Sequence, residues 1–161
     1  MTQKEKDLAA VKKNGYALQY VKEQTPKICL AAVKHDGYAL EYVKEQTPEI
    51  CLATVKRDGY ALHYVKNQTQ KICLAAVTQN GYALEFVKNQ TPEICLAAVK
   101  EFGTALQFVK EQTPEIVFAA LENSEDAAKY LSDCLYGFTN EEKLLLNLNY
   151  GVLLNKFKNN K

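Results

Sequence analysis

One phrase recurs along this chain at a spacing of 22 residues. From Thr47 to Gln68 it reads TPEICLATVKRDGYALHYVKNQ, and related copies begin at Thr25, Thr69, Thr91 and Thr113. Its glycine falls at Gly15, Gly37, Gly59, Gly81 and Gly103. A fixed period in this range marks a repeat architecture, in which each unit leaves an apolar face for its neighbour to cover. A single copy buries too little to offset the entropy of ordering its backbone, so the copies must stack.

The first half of the phrase predicts an α-helix of about ten residues, roughly 15 Å long. Thr25 is a good N-cap and Pro26 suits the first helical position, where a missing N–H costs nothing. Pro48, Pro92 and Pro114 repeat this pattern, and Gln70 breaks it. Glu49, Glu93 and Glu115 read as first-turn charges complementing the helix dipole. The glycine, preceded by Asn14, Asp36, Asp58 or Asn80, predicts a left-handed C-terminal cap. In the second half, Ala39, Tyr42 and Val43 have helical spacing, which predicts a second short helix ended by the next Thr-Pro. A β-hairpin about Asp-Gly is the rival reading. The flanks do not alternate, and their alanine, leucine, glutamate and lysine favour helix.

Both ends depart from the phrase. Lys6 and Asp7 stand where Ile28 and Cys29 stand in the next copy, so residues 1–14 read as a capping half-repeat with a polar outer face. Tandem repeats are expected over 15–116, and a degenerate repeat with C-terminal capping helices over 117–161. Thr139 and Glu142 predict a capping box. The helix after it, about 140–157, would carry a stripe of Leu144, Leu145, Leu148, Val152 and Phe157 and cover the last repeat. The expected fold is an all-α solenoid of 22-residue helix-turn-helix repeats with a C-terminal capping helix.

The wording ICLAAVKxxGYALxYVKxQTPE, over about residues 6–116 with degenerate copies to about 132, resembles the tandem repeats known as domain of unknown function 4116. Such repeats occur in giant viruses, intracellular bacteria and other bacteria with their mobile elements. The resemblance implies a repeat scaffold and a role at a host–parasite boundary. It implies no functional residues, and the segment after residue 132 departs from the pattern.

Composition narrows the function by exclusion. A formal net charge of +1 gives no overall attraction to nucleic acid or an anionic membrane. No apolar run suits a membrane span, and the polar start MTQKEKDLAAV lacks a signal-peptide core, so a cytoplasmic location is expected, or the host cytoplasm for a delivered effector. Cys29, Cys51, Cys73 and Cys95 share one repeat position, and Cys134 stands apart. Packed helices lie roughly 8–10 Å apart, beyond the ~7 Å reach of a disulfide, so reduced buried thiols are expected. No metal-ligand spacing, nucleophile motif or phosphate loop is present, and we expect no enzyme, cofactor or metal.

What remains is surface. Lys22, Lys44, Lys66, Lys88 and Lys110 form one column, and Gln24, Gln46, Gln68, Gln90 and Gln112 another beside it. Tyr16, Tyr38, Tyr60 and Tyr82 form an aromatic column. Tyr20, Tyr42, Tyr64, Phe86 and Phe108 form a second, expected in the core. Between copies the core barely changes, whereas positions near the glycine (His35, Arg57, Gln79, Phe102) and one second-helix position (Glu41, His63, Glu85, Gln107) vary. These eight are the candidate partner-binding residues, and the simpler reading of each is variation on an exposed site. Phe102 reads as a contact anchor or as packing on the C-terminal helix. A protein partner is the leading expectation, with the chain as a small effector or inhibitor of a host or defence complex. The alternatives are single-stranded nucleic acid along the lysine and tyrosine columns, diluted by Glu23, Glu45 and Glu111, or structural assembly.

Overall fold

The computed structural model describes residues 1–131 and 138–150. The chain divides into two compact units, Met1–Lys88 and Asn89–Lys161. All regular structure among the described residues is helical, so the hairpin reading fails. The first unit holds α1 (Gln3–Lys13), α2 (Pro26–His35), α3 (Pro48–Arg57) and α4 (Gln70–Gln79). Each is followed by a six-residue 3₁₀ helix: Gly15–Tyr20, Gly37–Tyr42, Gly59–Tyr64 and Gly81–Phe86. The second unit holds α5 (Pro92–Glu101) and α6 (Pro114–Asn123), with 3₁₀ helices Gly103–Phe108 and Glu125–Tyr130, and then α7 (Asn140–Tyr150). Within each unit, α-helices pack on α-helices and 3₁₀ helices on 3₁₀ helices in sequence order, the arrangement of a helical repeat solenoid.

The Thr-Pro start behaves as its chemistry requires. The hydroxyls of Thr25, Thr47, Thr69 and Thr91 accept from the N–H groups of Ile28, Ile50, Ile72 and Ile94 at 3.3–3.4 Å. In each helix the isoleucine and cysteine, with the residues four further along, turn inward: Ile28, Cys29, Ala32 and Val33 in α2. Thr54 replaces the alanine in α3 without leaving a buried orphan, because its hydroxyl donates to Ile50 C=O at 2.7 Å. The four equivalent cysteines are free and buried. Burial pushes their thiol pKa up, and Cys134 lies outside the described residues.

The glycine differs from expectation. It is no left-handed cap: the preceding residue is extended (Asp36, φ −144°, ψ 120°), and the glycine opens the 3₁₀ helix. The Asn or Asp before it caps that second helix instead, as Asp36 Oδ1 accepts from Tyr38 N–H at 2.9 Å. Glycine is needed for close approach. A Cβ on Gly15 would lie 2.8 Å from Ala32 C=O of the next repeat, and one on Gly59 would lie 2.5 Å from Ala76 C=O. The residue ending the next α-helix reaches back to the same place. His35 Nδ1 accepts from Gly15 N–H at 3.2 Å, and Gln79 Oε1 accepts from Gly59 N–H at 2.5 Å. In the second unit, Asn123 Oδ1 does the same for Gly103 at 2.6 Å, while its Nδ2 donates to Lys100 C=O.

The second helix is 3₁₀ rather than α. Val43 N–H bonds Leu40 C=O, three residues back. At its end the carbonyl of Tyr42 and the N–H of Lys44 are both taken by the amide of Gln24, a clasp that the first 3₁₀ helix, Gly15–Tyr20, keeps its form without. Ala39, Leu40 and Val43 are buried and Tyr42 is only half-buried, so Leu40 holds the core place expected of Tyr42.

The ends keep their polar character. In α1 only Val11 is buried, and Thr2 and Glu5 form a capping box. Thr139 and Glu142 form the expected one. The stripe on α7 is displaced by a residue: Leu146 is buried, while Leu144 and Leu145 are 56% and 47% exposed. The side chain of Leu148, and Val152 and Phe157, lie outside the described residues.

Candidate functional site

The glutamine column is not a surface feature. Each of its members is partly buried and clasps the next repeat. Gln46 Nε2 donates to Tyr64 C=O at 2.9 Å, and its Oε1 accepts from Lys66 N–H at 3.0 Å. Gln24 and Gln68 repeat the pattern in the first unit, and Gln90 in the second. The cysteine thiol sits under the same oxygen, with Cys51 Sγ 3.9 Å from Gln46 Oε1. A primary amide suits this place because it donates and accepts at once, matching one carbonyl and one N–H of the neighbouring backbone.

The lysine column is exposed, as expected of Lys22, Lys44, Lys66, Lys88 and Lys110. Two of its ammonium groups are spent on the scaffold. Lys44 Nζ donates to Lys22 C=O at 3.0 Å, and Lys88 Nζ to Lys66 C=O at 3.2 Å.

The two aromatic columns interlock, and the second is not core. Tyr16 meets Tyr42 edge to face at 6.0 Å, Tyr38 meets Tyr64 at 5.7 Å, and Tyr60 meets Phe86 at 5.9 Å. These distances and angles fall in the favourable range for ring pairs. Tyr42, Tyr60, Tyr64 and Phe86 are half-buried, Tyr16 and Tyr38 are exposed at the outer edge, and Tyr20 is 80% exposed. The charge of Asp58, with burial as a lesser cause, pushes the Tyr38 phenol above its ordinary pKa.

The variable positions fall into two groups. Glu41, His63, Glu85 and Gln107 are exposed on the 3₁₀ helices. With three residues per turn, position 41 lies on the same edge as Tyr38, and position 63 on the same edge as Tyr60. His63 stacks edge-on at 5.0 Å against both Tyr64 and Phe86. The first unit therefore presents a strip of constant aromatic rungs carrying one changing polar side chain per repeat. His35, Arg57 and Gln79 are exposed too, but His35 and Gln79 already serve the glycines. Phe102 is 40% exposed and supplies no side-chain cap to the 3₁₀ helix that follows it. The sequence could not show the clasp, because a constant exposed column and a constant bridging column look alike before the repeats are stacked.

Among the described residues no group of three or more His, Cys, Asp or Glu side chains could hold a metal, and no helix is long and apolar enough to cross a membrane. The fold and this surface define a tandem helical repeat protein. The family described as domain of unknown function 4116 matches in three overlapping windows, 8–47, 25–70 and 47–90, and the chain belongs to that family. No curated protein and no solved structure matches it.

Proposed function

We propose that the chain is a non-enzymatic protein-binding scaffold whose partner seats on the 3₁₀ strip of the first unit. The observation that carries this reading is the combination of constant aromatic rungs with one exposed, changing side chain per repeat, at Glu41, His63 and Glu85. Interlocked rings offer contact area that loses little entropy on binding, and the changing residue supplies selectivity. A small effector or inhibitor acting in the cytoplasm on a host or defence complex fits this design. The lysine alternative is weakened by the carbonyls that hold Lys44 and Lys88.

The test is capture from a lysate of the native host with the unaltered chain and with the triple variant E41A/H63A/E85A. These side chains are exposed, and an unchanged circular dichroism spectrum and melting point check that the variant keeps its fold once the His63 ring contacts are removed. Retention of a protein by the first and its loss with the second supports the reading. The same proteins on both, or none reproducibly, overturns it. Salt-sensitive retention of RNA or single-stranded DNA in its place would favour the lysine column.

A further inference from the structure

The groove between Gln24, Cys29, Lys44 and Glu45 recurs one repeat earlier, between Thr2, Asp7, Lys22 and Glu23. The two are equivalent by position, yet the amino-end groove holds about 630 Å³ and the inner one about 220 Å³. The difference lies in what fills them. In the inner groove the Gln24 amide donates to Tyr42 C=O at 2.9 Å and accepts from Lys44 N–H at 2.9 Å. At the amino end Thr2 stands in the place of Gln24 and is too short to make this bridge. Its hydroxyl is also committed to Glu5 N–H. Tyr20 C=O and Lys22 N–H, the counterparts of the clasped pair, have no hydrogen-bond partner among the described residues. Tyr20 itself is 80% exposed beside them.

We propose that this amino-end groove is a recognition site for the glutamine side chain of an extended peptide. The chain repeats the required chemistry at every inner junction of the unit, so the occupant is defined by continuity with an interface already built. The carboxamide oxygen accepts from Lys22 N–H and its nitrogen donates to Tyr20 C=O. A carboxylate lacks the donor, and an aliphatic side chain lacks both groups. The Lys4–Glu23 ion pair at 3.1 Å borders the groove with both side chains well exposed, so it yields readily to an incoming chain. A second copy of this chain is a poorer occupant, because its own Gln24, Gln46, Gln68, Gln90 and Gln112 are engaged. This site is independent of the 3₁₀ strip.

The experiment titrates the full chain, followed by amide NMR, with the peptide VKEQTPEI, the wording of residues 43–50. Saturable shifts centred on Val21 and Lys22 are expected. Replacing the peptide glutamine by glutamate or leucine should weaken binding by roughly tenfold or more, the cost of leaving one or both backbone groups unpaired. Thr2→Gln in the protein should fill the groove from within and abolish binding, with the remaining amide shifts unchanged. The proposal is overturned by three results: no saturable shift at millimolar peptide, equal binding of the glutamine and glutamate peptides, or self-association of the chain by light scattering that Thr2→Gln removes. The peptide comparison uses the unaltered protein, so it decides the matter even if Thr2→Gln fails to fold.

Discussion

Gln46 reaches across the repeat junction and donates to the backbone carbonyl of Tyr64, 18 residues further along, at 2.9 Å. The same side chain accepts from Lys66 N–H. One neutral residue thus ties the end of a 3₁₀ helix in the next repeat to the repeat before. Gln46→Leu keeps the bulk and strands both backbone groups. We expect a loss of about 2–3 kcal/mol, measured as a lower urea midpoint at constant slope. Gln46→Glu keeps the acceptor for Lys66 N–H but sets a carboxylate oxygen against the Tyr64 carbonyl, so it should cost at least as much.

The glycines are not equivalent, and this can be read from what a methyl group would meet. On Gly59 a Cβ would lie 2.5 Å from the Ala76 carbonyl, whereas on Gly37 its nearest neighbour is Asp58 Cβ at 3.2 Å. Gly59→Ala should therefore destabilise by about 1–3 kcal/mol through overpacking. Gly37→Ala should cost less than about 1 kcal/mol, since alanine also restricts the unfolded chain. Paired denaturation curves check the order. Equal costs would argue for a conformational rather than a steric requirement.

Tyr38 links electrostatics to stability. Its phenol is raised above the ordinary 10.0 chiefly by the Asp58 charge, then by burial. A raised folded value means that the stabilisation is whole below the unfolded pKa near 10 and is lost as pH rises through the folded value. Asp58→Asn keeps a side-chain oxygen for the cap on Tyr60 N–H, as Asn80 does for Tyr82, and removes the charge. The Tyr38 ring should then titrate at lower pH, followed by NMR of labelled tyrosine. The alkaline loss of stability should shrink with it.

Cys29, Cys51, Cys73 and Cys95 are buried with raised thiol pKa values. Thiolate is the reactive form, so these four should resist Ellman's reagent at neutral pH in the native protein and react once it is denatured. Rapid native labelling of any of the four, located by peptide mass mapping, would contradict the packing described.

The local rules of the phrase were legible without coordinates. Thr-Pro starts, inward Ile and Cys, buried reduced thiols and the Thr139 capping box all depend on neighbours within a few residues, and a sequence displays those directly. The candidate positions Glu41, His63 and Glu85 were also visible as the places where copies differ. Their meeting with an interlocked aromatic edge was not, because Tyr60 and Phe86 are brought together only by stacking.

By itself the sequence determined the period, the helical class and the need for stacking, because hydrophobic spacing and capping are local and repeat faithfully. Only the tertiary structure decided how consecutive copies meet. It turned the second helix into a 3₁₀ helix, made glycine a point of close approach, and moved the glutamines from surface to clasp. The last two depend on backbone groups about 20 residues away along the chain. Such pairings satisfy polar groups across a junction, and the junction exists only once the repeats have packed.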